Sequence, residues 1–182
     1  MQKHWLYQTT QNLLDYVNDP NHPHPDVLAA LRASQDINDY HMNHVYPIFF
    51  RYLPEKALST NGTPTYAENA LFLAMHLNAI YVQGDHSLKD SKMSLFKALR
   101  FLRQDPQIQT ALDARVSMLL QANTFKSLEM ALRDVVRILK QHSNSKVDFA
   151  ALAKDVYQFQ FSYQSAKQVI LRWAQDYYWT NK

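Results

Sequence analysis

Apolar side chains recur every three or four residues along most of the chain, the spacing that gathers them on one face of an α-helix. This pattern predicts helices over residues 3–17, 25–34, 39–53, 66–83, 92–104, 106–122, 125–142, 149–158 and 164–180. No segment requires a strand. Six of the seven prolines lie at or before Pro64, and after Gly84 the chain has no glycine and one proline, Pro106. We therefore predict an all-α fold, a bundle of about nine helices in two lobes.

Polar residues mark where several of these helices begin. Thr65 and Glu68 have the spacing of a capping box, in which each side chain binds a backbone N–H that the first turn leaves unpaired. Asp105 precedes Pro106. The Asp105 carboxylate can accept a hydrogen bond at the N-cap, and the ring of Pro106 fixes φ at a helical value in the first helical position.

The segment TFKSLEMALRDVVRILKQ, residues 124–141, has two distinct faces when it is projected at about 100° per residue. One face is apolar and predicts core packing by Leu128, Ala131, Leu132, Val135 and Leu139. The opposite side, farthest from the core, carries a cationic stripe made of Lys126, Arg133, Arg137 and Lys140. Glu129 and Asp134 are expected to lie off the stripe and to neutralise it only in part. Solvated helices often carry such cations, so the stripe alone does not indicate a function.

Charge is distributed unevenly along the chain. Residues 1–85 hold 4 Lys and Arg against 8 Asp and Glu, a net charge of −4, whereas residues 86–182 hold 15 against 8, a net charge of +7. We predict an acidic N-terminal lobe over 1–85 and a basic C-terminal lobe over 86–182, joined near GDHSLKDS at 84–91. The basic half suits a polyanionic partner. The alternatives are attraction between the two halves and solvated helices that happen to carry lysine.

Composition removes several kinds of chemistry. Without cysteine there is no disulfide, thiolate nucleophile or cysteine-ligated zinc. Two glycines cannot build a phosphate loop, a dinucleotide fingerprint or a nucleophile elbow. His41 and His44, with Asp39 nearby, lack a recognised metal pattern. The acids are scattered rather than paired for proton transfer. We predict no catalytic site, no cofactor and no metal.

Nothing along the chain predicts membrane insertion or export. No apolar run approaches the length of a membrane span, and the first residues are amphipathic rather than a charged region followed by an apolar block. The expected location is the cytoplasm.

Two aromatic features stand near the end of the chain. In YQFQFSY, residues 157–163, aromatic and polar residues alternate, which suits either an extended stacking platform for unpaired bases or an aromatic-anchored connection between helices. We favour the connection because the run is short and adjoins helical segments. The last helix places Ala166, Val169, Ile170, Trp173 and Tyr177 on its core face, with Lys167 and Arg172 pointing elsewhere.

Several short motifs in order resemble the CasB family, the small subunits of the type I-E Cascade complex of CRISPR defence. Asp148–Phe149, Arg172–Trp173 and Asp176–Tyr177 are similar to the family's C-terminal signature. SLFKALRFLRQD at 94–105 is similar to its S-L-x-[RK]-A-L block, and 114–139 to the arginine-bearing helix pair that follows. ALRASQD at 30–36 and YPIFFRYLP at 46–54 fit its early helices. The resemblance covers nearly the whole chain.

The resemblance implies a non-catalytic, all-helical subunit that acts in antiviral defence. Two copies would lie in a crRNA-guided complex beside its backbone and large subunits. Such subunits hold RNA and DNA without reading sequence, stabilising guide–target pairing and the displaced strand of the R-loop, while base pairing supplies specificity.

The predicted nucleic-acid-binding residues come from the resemblance and from the cationic stripe. They are Arg32, Lys97, Arg100, Arg115, Lys126, Arg133, Arg137, Lys140, Lys167 and Arg172. The chain has fewer arginine clusters than some family members and uses lysine more. An alternative function is a helical adaptor whose basic face docks an acidic protein.

Overall fold

The structure, a computed structural model, describes residues 4–84 and 92–180. It consists of α-helices joined by short connections. The helices are α1 (His4–Val17), α2 (Pro25–Ala33), α3 (Tyr46–Tyr52), α4 (Tyr66–Tyr81), α5 (Leu95–Leu102), α6 (Pro106–Leu120), α7 (Phe125–His142), α8 (Phe149–Phe159) and α9 (Tyr163–Tyr178). Short 3₁₀ turns span Tyr40–His44 and Glu55–Ala57. The predicted all-α fold is confirmed.

The prediction was wrong in two local respects. Residues 39–53 form a 3₁₀ turn followed by α3 instead of one helix, because Pro47, in the first turn of α3, has no N–H with which to continue a helix from the residues before it. Within residues 4–84 and 92–180 there are also two strands, β1 (Lys92–Met93) and β2 (Lys146–Val147), which pair in parallel. Asp148 N–H extends this ladder by donating to the Met93 carbonyl at 2.8 Å. Two-residue strands are too short to leave an alternating pattern.

Both predicted helix caps are confirmed. Thr65 N–H donates to Oε2 of Glu68 at 2.7 Å, and Glu68 N–H donates to Oγ1 of Thr65 at 3.1 Å. The Asp105 carboxylate accepts from Gln107 N–H at 2.9 Å. These bonds set where α4 and α6 begin, since each satisfies a donor that the first turn cannot pair internally.

The chain divides into two compact units. Unit 1 comprises Met1–Ile80 and Phe149–Tyr157, and unit 2 comprises Tyr81–Asp148 and Gln158–Lys182. The unit boundaries fall inside α4 and α8. The predicted acidic and basic lobes remain a prediction, because residues 85–91 of the expected junction lie outside the described residues.

Unit 1 is organised by α4, in which every residue from Ala70 to Ile80 is buried. A helix that is apolar on all sides must be surrounded by other elements. Its polar members are satisfied by neighbours: His76 Nδ1 lies 2.6 Å from the Leu31 carbonyl of α2, and Asn78 exchanges two hydrogen bonds with Asn18. Trp5 of α1 also contacts Tyr157 of α8 edge to face.

Unit 2 contains two helix pairings. On α5 and α9, Phe96 stacks on Trp173 with centroids 4.7 Å apart, and the Ser94 hydroxyl donates to Asp176 at 2.8 Å. α6 packs along α7, and buried side chains of both supply the core. The two pairings meet through contacts of α5 with α7 and of α6 with α9.

Asp113 of α6 ties α5 and α9 to α6. It accepts two hydrogen bonds from Arg103, just after α5, at 2.7 and 3.1 Å, and one from the Tyr177 hydroxyl of α9 at 2.6 Å. The hydrogen bonds that Arg103 and Tyr177 donate to Asp113 lower the pKa of Asp113, and the bonds between Arg103 and Asp113 raise the pKa of Arg103. Burial, together with the Asp113 carboxylate, raises the pKa of Tyr177. All three groups therefore stay in the charge states that this cluster requires at neutral pH.

We expect Asp113→Asn to lower the free energy of unfolding by about 1.5–3 kcal/mol at neutral pH, because it removes a charge-assisted bidentate contact. The native pKa of Asp113 is lowered, so this stabilisation is present above the ordinary carboxyl pKa of 3.8 and is lost as the pH falls through the native value. Urea unfolding at several pH values measures it. Tyr177→Phe, which keeps the ring, should cost about 1 kcal/mol. An Asp113→Asn effect that persists unchanged at strongly acid pH would contradict the cluster.

Candidate nucleic-acid interface

Helix α7 carries the cationic stripe and begins at a well-formed cap. Thr124 Oγ1 accepts from Ser127 N–H at 3.1 Å, and Ser127 Oγ accepts from Thr124 N–H at 3.2 Å. The predicted core face is confirmed at Leu128, Leu132, Val135 and Leu139, whereas Ala131 is only half-buried. Val136, which was not predicted, is buried too.

The prediction that Glu129 lies off the stripe was wrong. Glu129 is 2% exposed and lies beneath the stripe. Its Oε1 accepts from Arg133 at 2.8 Å and its Oε2 from Lys126 at 3.0 Å. The Arg133 side chain is only 14% exposed, so this arginine lies at the edge of the core and not on the solvent face. A carboxylate that leaves water needs opposite charge beside it, and Arg133 supplies that charge. Lys126 remains 64% exposed.

Asp134 holds the next two cations more loosely. It lies 3.6 Å from Arg115 of α6 and 3.7 Å from Arg137 of α7, and all three side chains are exposed. Ion pairs of this length and exposure contribute little to stability and weaken in salt. One acid thus faces two arginines, which leaves this cluster with a net positive charge that an incoming anion can reach.

The other predicted cations occupy separate positions. Lys140 donates to Gln83 at 3.0 Å, and Arg172 donates to Gln158 at 3.3 Å. Lys167 lies over the Tyr163 ring at 5.3 Å, and Lys97 is exposed in the first turn of α5. Arg100 lies beside Trp179.

Arg32, in unit 1, donates to the Ala79 carbonyl at 3.3 Å and is half-buried. The structure therefore brings together Lys126 with Arg133, and Arg115 with Arg137. It spreads the remaining unit 2 cations over α5, α7 and α9.

The aromatic run at 157–163 is a connection between two helices. Helix α8 ends at the buried Phe159 and α9 begins at Tyr163, so the favoured interpretation is confirmed and an extended platform is ruled out. Phe161 and Tyr163 face solvent.

Over residues 4–84 and 92–180, no group of three His, Asp or Glu side chains is placed to hold a metal ion. No helix in the same ranges combines the length and the hydropathy that crossing a membrane needs.

Comparison with known families identifies the chain. The family described as CRISPR-associated protein Cse2 matches residues 27–178. The chain belongs to the Cse2 family. Among curated protein sequences, none matches.

Two solved structures share the Cse2 fold with this chain. CasB from Thermobifida fusca matches with a TM-score of 0.66 and 25% identity, covering 97% of both chains. A CRISPR-associated Cse2-family protein from Thermus thermophilus matches with a TM-score of 0.61 and 21% identity, again covering 97% of both chains. The resemblance to the CasB family that the motifs indicated is confirmed.

Sequence reasoning about this Cse2-family chain missed the cluster around Arg103, Asp113 and Tyr177, and the contact of Arg100 with Trp179. Asp113 and Tyr177 are 64 residues apart, and no local spacing connects them. The one signal for Trp179 in the sequence is that it is an aromatic residue at the C-terminal end of the last predicted helix.

We expect Arg133→Gln and Arg137→Gln to differ in stability although each removes one cation from the same Cse2-family helix. Arg133→Gln removes the partly buried partner of Glu129 and should lower the free energy of unfolding by about 1.5–3 kcal/mol. Arg137→Gln breaks a long, exposed ion pair and should change it by less than about 0.5 kcal/mol. Urea unfolding followed by tryptophan fluorescence compares them. Equal effects would show that Glu129 does not hold Arg133 in solution.

Proposed function

We propose that this chain is a non-catalytic small subunit of a crRNA-guided type I-E Cascade complex in antiviral defence. It binds the nucleic-acid backbone without sequence specificity and so stabilises guide–target pairing and the displaced strand of the R-loop. Its partners are crRNA, target DNA, the backbone and large subunits, and a second copy of itself, in the cytoplasm. The observation that carries the proposal is the match of residues 27–178 to the Cse2 family.

The distribution of charge in unit 2 supports backbone binding. Lys97, Lys126, Arg137 and Lys167 extend into solvent from three helices. Lys97, Arg137 and Lys167 can bind phosphates at little cost, because they give up at most weak, screened contacts with acids, whereas Lys126 also gives up a 3.0 Å contact with Glu129. Phosphate contacts fix the position of a strand and carry no information on its sequence.

The ten predicted cations have different roles in this proposal. Arg133 stabilises the core edge through Glu129, and Arg32 binds the end of α4 in unit 1. Neither is expected to be a main phosphate contact. The proposed contacts are the more accessible cations of unit 2: Lys97, Arg100, Arg115, Lys126, Arg137, Lys140, Lys167 and Arg172.

We expect the full chain to bind single- and double-stranded DNA with an affinity that falls steeply between about 50 and 300 mM salt and depends little on sequence. Arg137→Gln and Lys167→Gln should each weaken binding on every sequence. Each should also reduce the slope of log affinity against log salt by about 1. Fluorescence anisotropy of labelled oligonucleotides measures both quantities.

Lys56→Gln is the matched control, because Lys56 is an exposed lysine of unit 1 and its loss changes the net charge equally. Equal effects of Lys56→Gln and Lys167→Gln would show that net charge matters and the proposed contacts do not. Loss of an acidic protein partner with unchanged DNA binding, on reversing the charge of Arg137, would favour the adaptor. Binding that is absent or independent of salt, together with failure to join the guide-RNA complex, would overturn the proposal.

A further inference from the structure

Unit 2 contains an open cleft between the C-terminal end of α5 and the residues that follow α9. Its volume is about 560 Å³, within the roughly 300–1,000 Å³ usual for small-molecule sites. The lining combines two arginines, two exposed aromatic rings and two amide side chains: Arg100, Arg103, Phe101, Trp179, Gln104 and Gln109. The other surface cations of unit 2 lie on open helix faces, whereas the two arginines of this cleft lie beside exposed aromatic rings.

Arg100 is the cation in this cleft whose charge is not already neutralised. Its guanidinium carbon lies 5.2 Å from the centroid of the Trp179 ring and 5.7 Å from that of Phe101. Among the described residues no carboxylate lies within ion-pair distance of Arg100. Trp179 is 57% exposed and Phe101 is 52% exposed, so large π faces stand open to solvent beside a positive charge.

Arg103 forms a wall of the cleft and supplies little net charge. Asp113 holds its guanidinium with two hydrogen bonds, and the same group lies over the rings of Tyr177 and Tyr178 at 5.6 and 5.3 Å. Because α5, α6 and α9 meet at this cluster, the cleft has a fixed side. Arg100 and Trp179 lie next to that side and take no part in the hydrogen bonds of the cluster.

A ligand that fits this arrangement needs a planar aromatic part and an anionic part close together. A nucleotide has both: its base stacks on an indole ring, and its phosphate pairs with a guanidinium. Gln104 and Gln109 provide amide donors and acceptors for base edges. Paired bases are stacked inside a duplex and cannot reach the ring, so the cleft suits an unpaired nucleotide.

We propose that this cleft binds one unpaired nucleotide of a single strand, with the base on Trp179 and the phosphate on Arg100. The assignment rests on the proposed function, since the other unit 2 cations would hold the remainder of that strand. It adds a distinction that phosphate contacts alone do not make, namely a preference for strands with unstacked bases.

The test measures binding of the full chain at low salt to oligodeoxythymidylate of about 12 nucleotides, to an abasic strand of equal length and to a duplex. We expect Trp179→Ala to weaken oligothymidylate binding roughly 5- to 150-fold, the usual range for losing one stacked base. Its affinity for the duplex and for the abasic strand should stay at the wild-type value. Trp179→Phe, which keeps a ring, should bind oligothymidylate more tightly than Trp179→Ala.

Tryptophan fluorescence gives an independent readout. Stacking on the exposed Trp179 should quench the emission of the wild-type chain when oligothymidylate is added, and Trp179→Phe should remove that quenching. Trp173 is 3% exposed and should not respond.

The outcomes separate the cleft from the proposed function. Wild-type affinity of Trp179→Ala for oligothymidylate would overturn the cleft while leaving backbone binding intact. Equal weakening of abasic and normal strands by Trp179→Ala would also overturn it, because no base would then be involved. Thymidine monophosphate that binds as tightly as the oligomer would overturn the assignment to a strand. A wild-type chain that binds none of the oligonucleotides would overturn the proposed function and the cleft together.

Discussion

The arrangement of unit 2 depends on the hydrogen bonds that Asp113 accepts. Asp113 lies on α6 and accepts hydrogen bonds from Arg103, just after α5, and from the buried Tyr177 of α9. These hydrogen bonds join the three helices, so their positions depend on one another. The same two donors form one side of the cleft that contains Arg100 and Trp179. Arg103 and Tyr177 therefore contribute both to helix packing and to the proposed binding surface.

Acidic residues also decide which cations of α7 remain available. Glu129 is buried and needs a close positive partner, which makes Arg133 a structural residue. Asp134 is exposed and contacts Arg115 and Arg137 only at long range, which leaves both arginines accessible to another anion. Each of these two acids contacts two cations, so the surface of α7 keeps a net positive charge. The buried Glu129 carboxylate is still paired with a cation.

Sequence predicted the helical elements well, because each helix buries a stripe whose period is local to it. It predicted the burial of Leu128 and Leu132 for the same reason. It failed for Glu129, since angular projection gives a position around the axis and does not show how far a neighbouring helix covers that position. It could not find the pairing of Lys92 with Lys146 or of Asp113 with Tyr177, because those contacts join distant parts of the chain. Family motifs indicated the biological context, whereas the accessibility of each cation required the structure.

We propose that the accessible cations of unit 2 contact the nucleic-acid backbone while Arg133 does not. The most direct measurement is a structure of the assembled guide-RNA complex with target DNA bound. We expect phosphates beside Arg137, Lys167 and their accessible neighbours, with Arg133 still paired to Glu129. Nucleic acid bound elsewhere on the subunit, with these side chains facing protein or solvent, would contradict it.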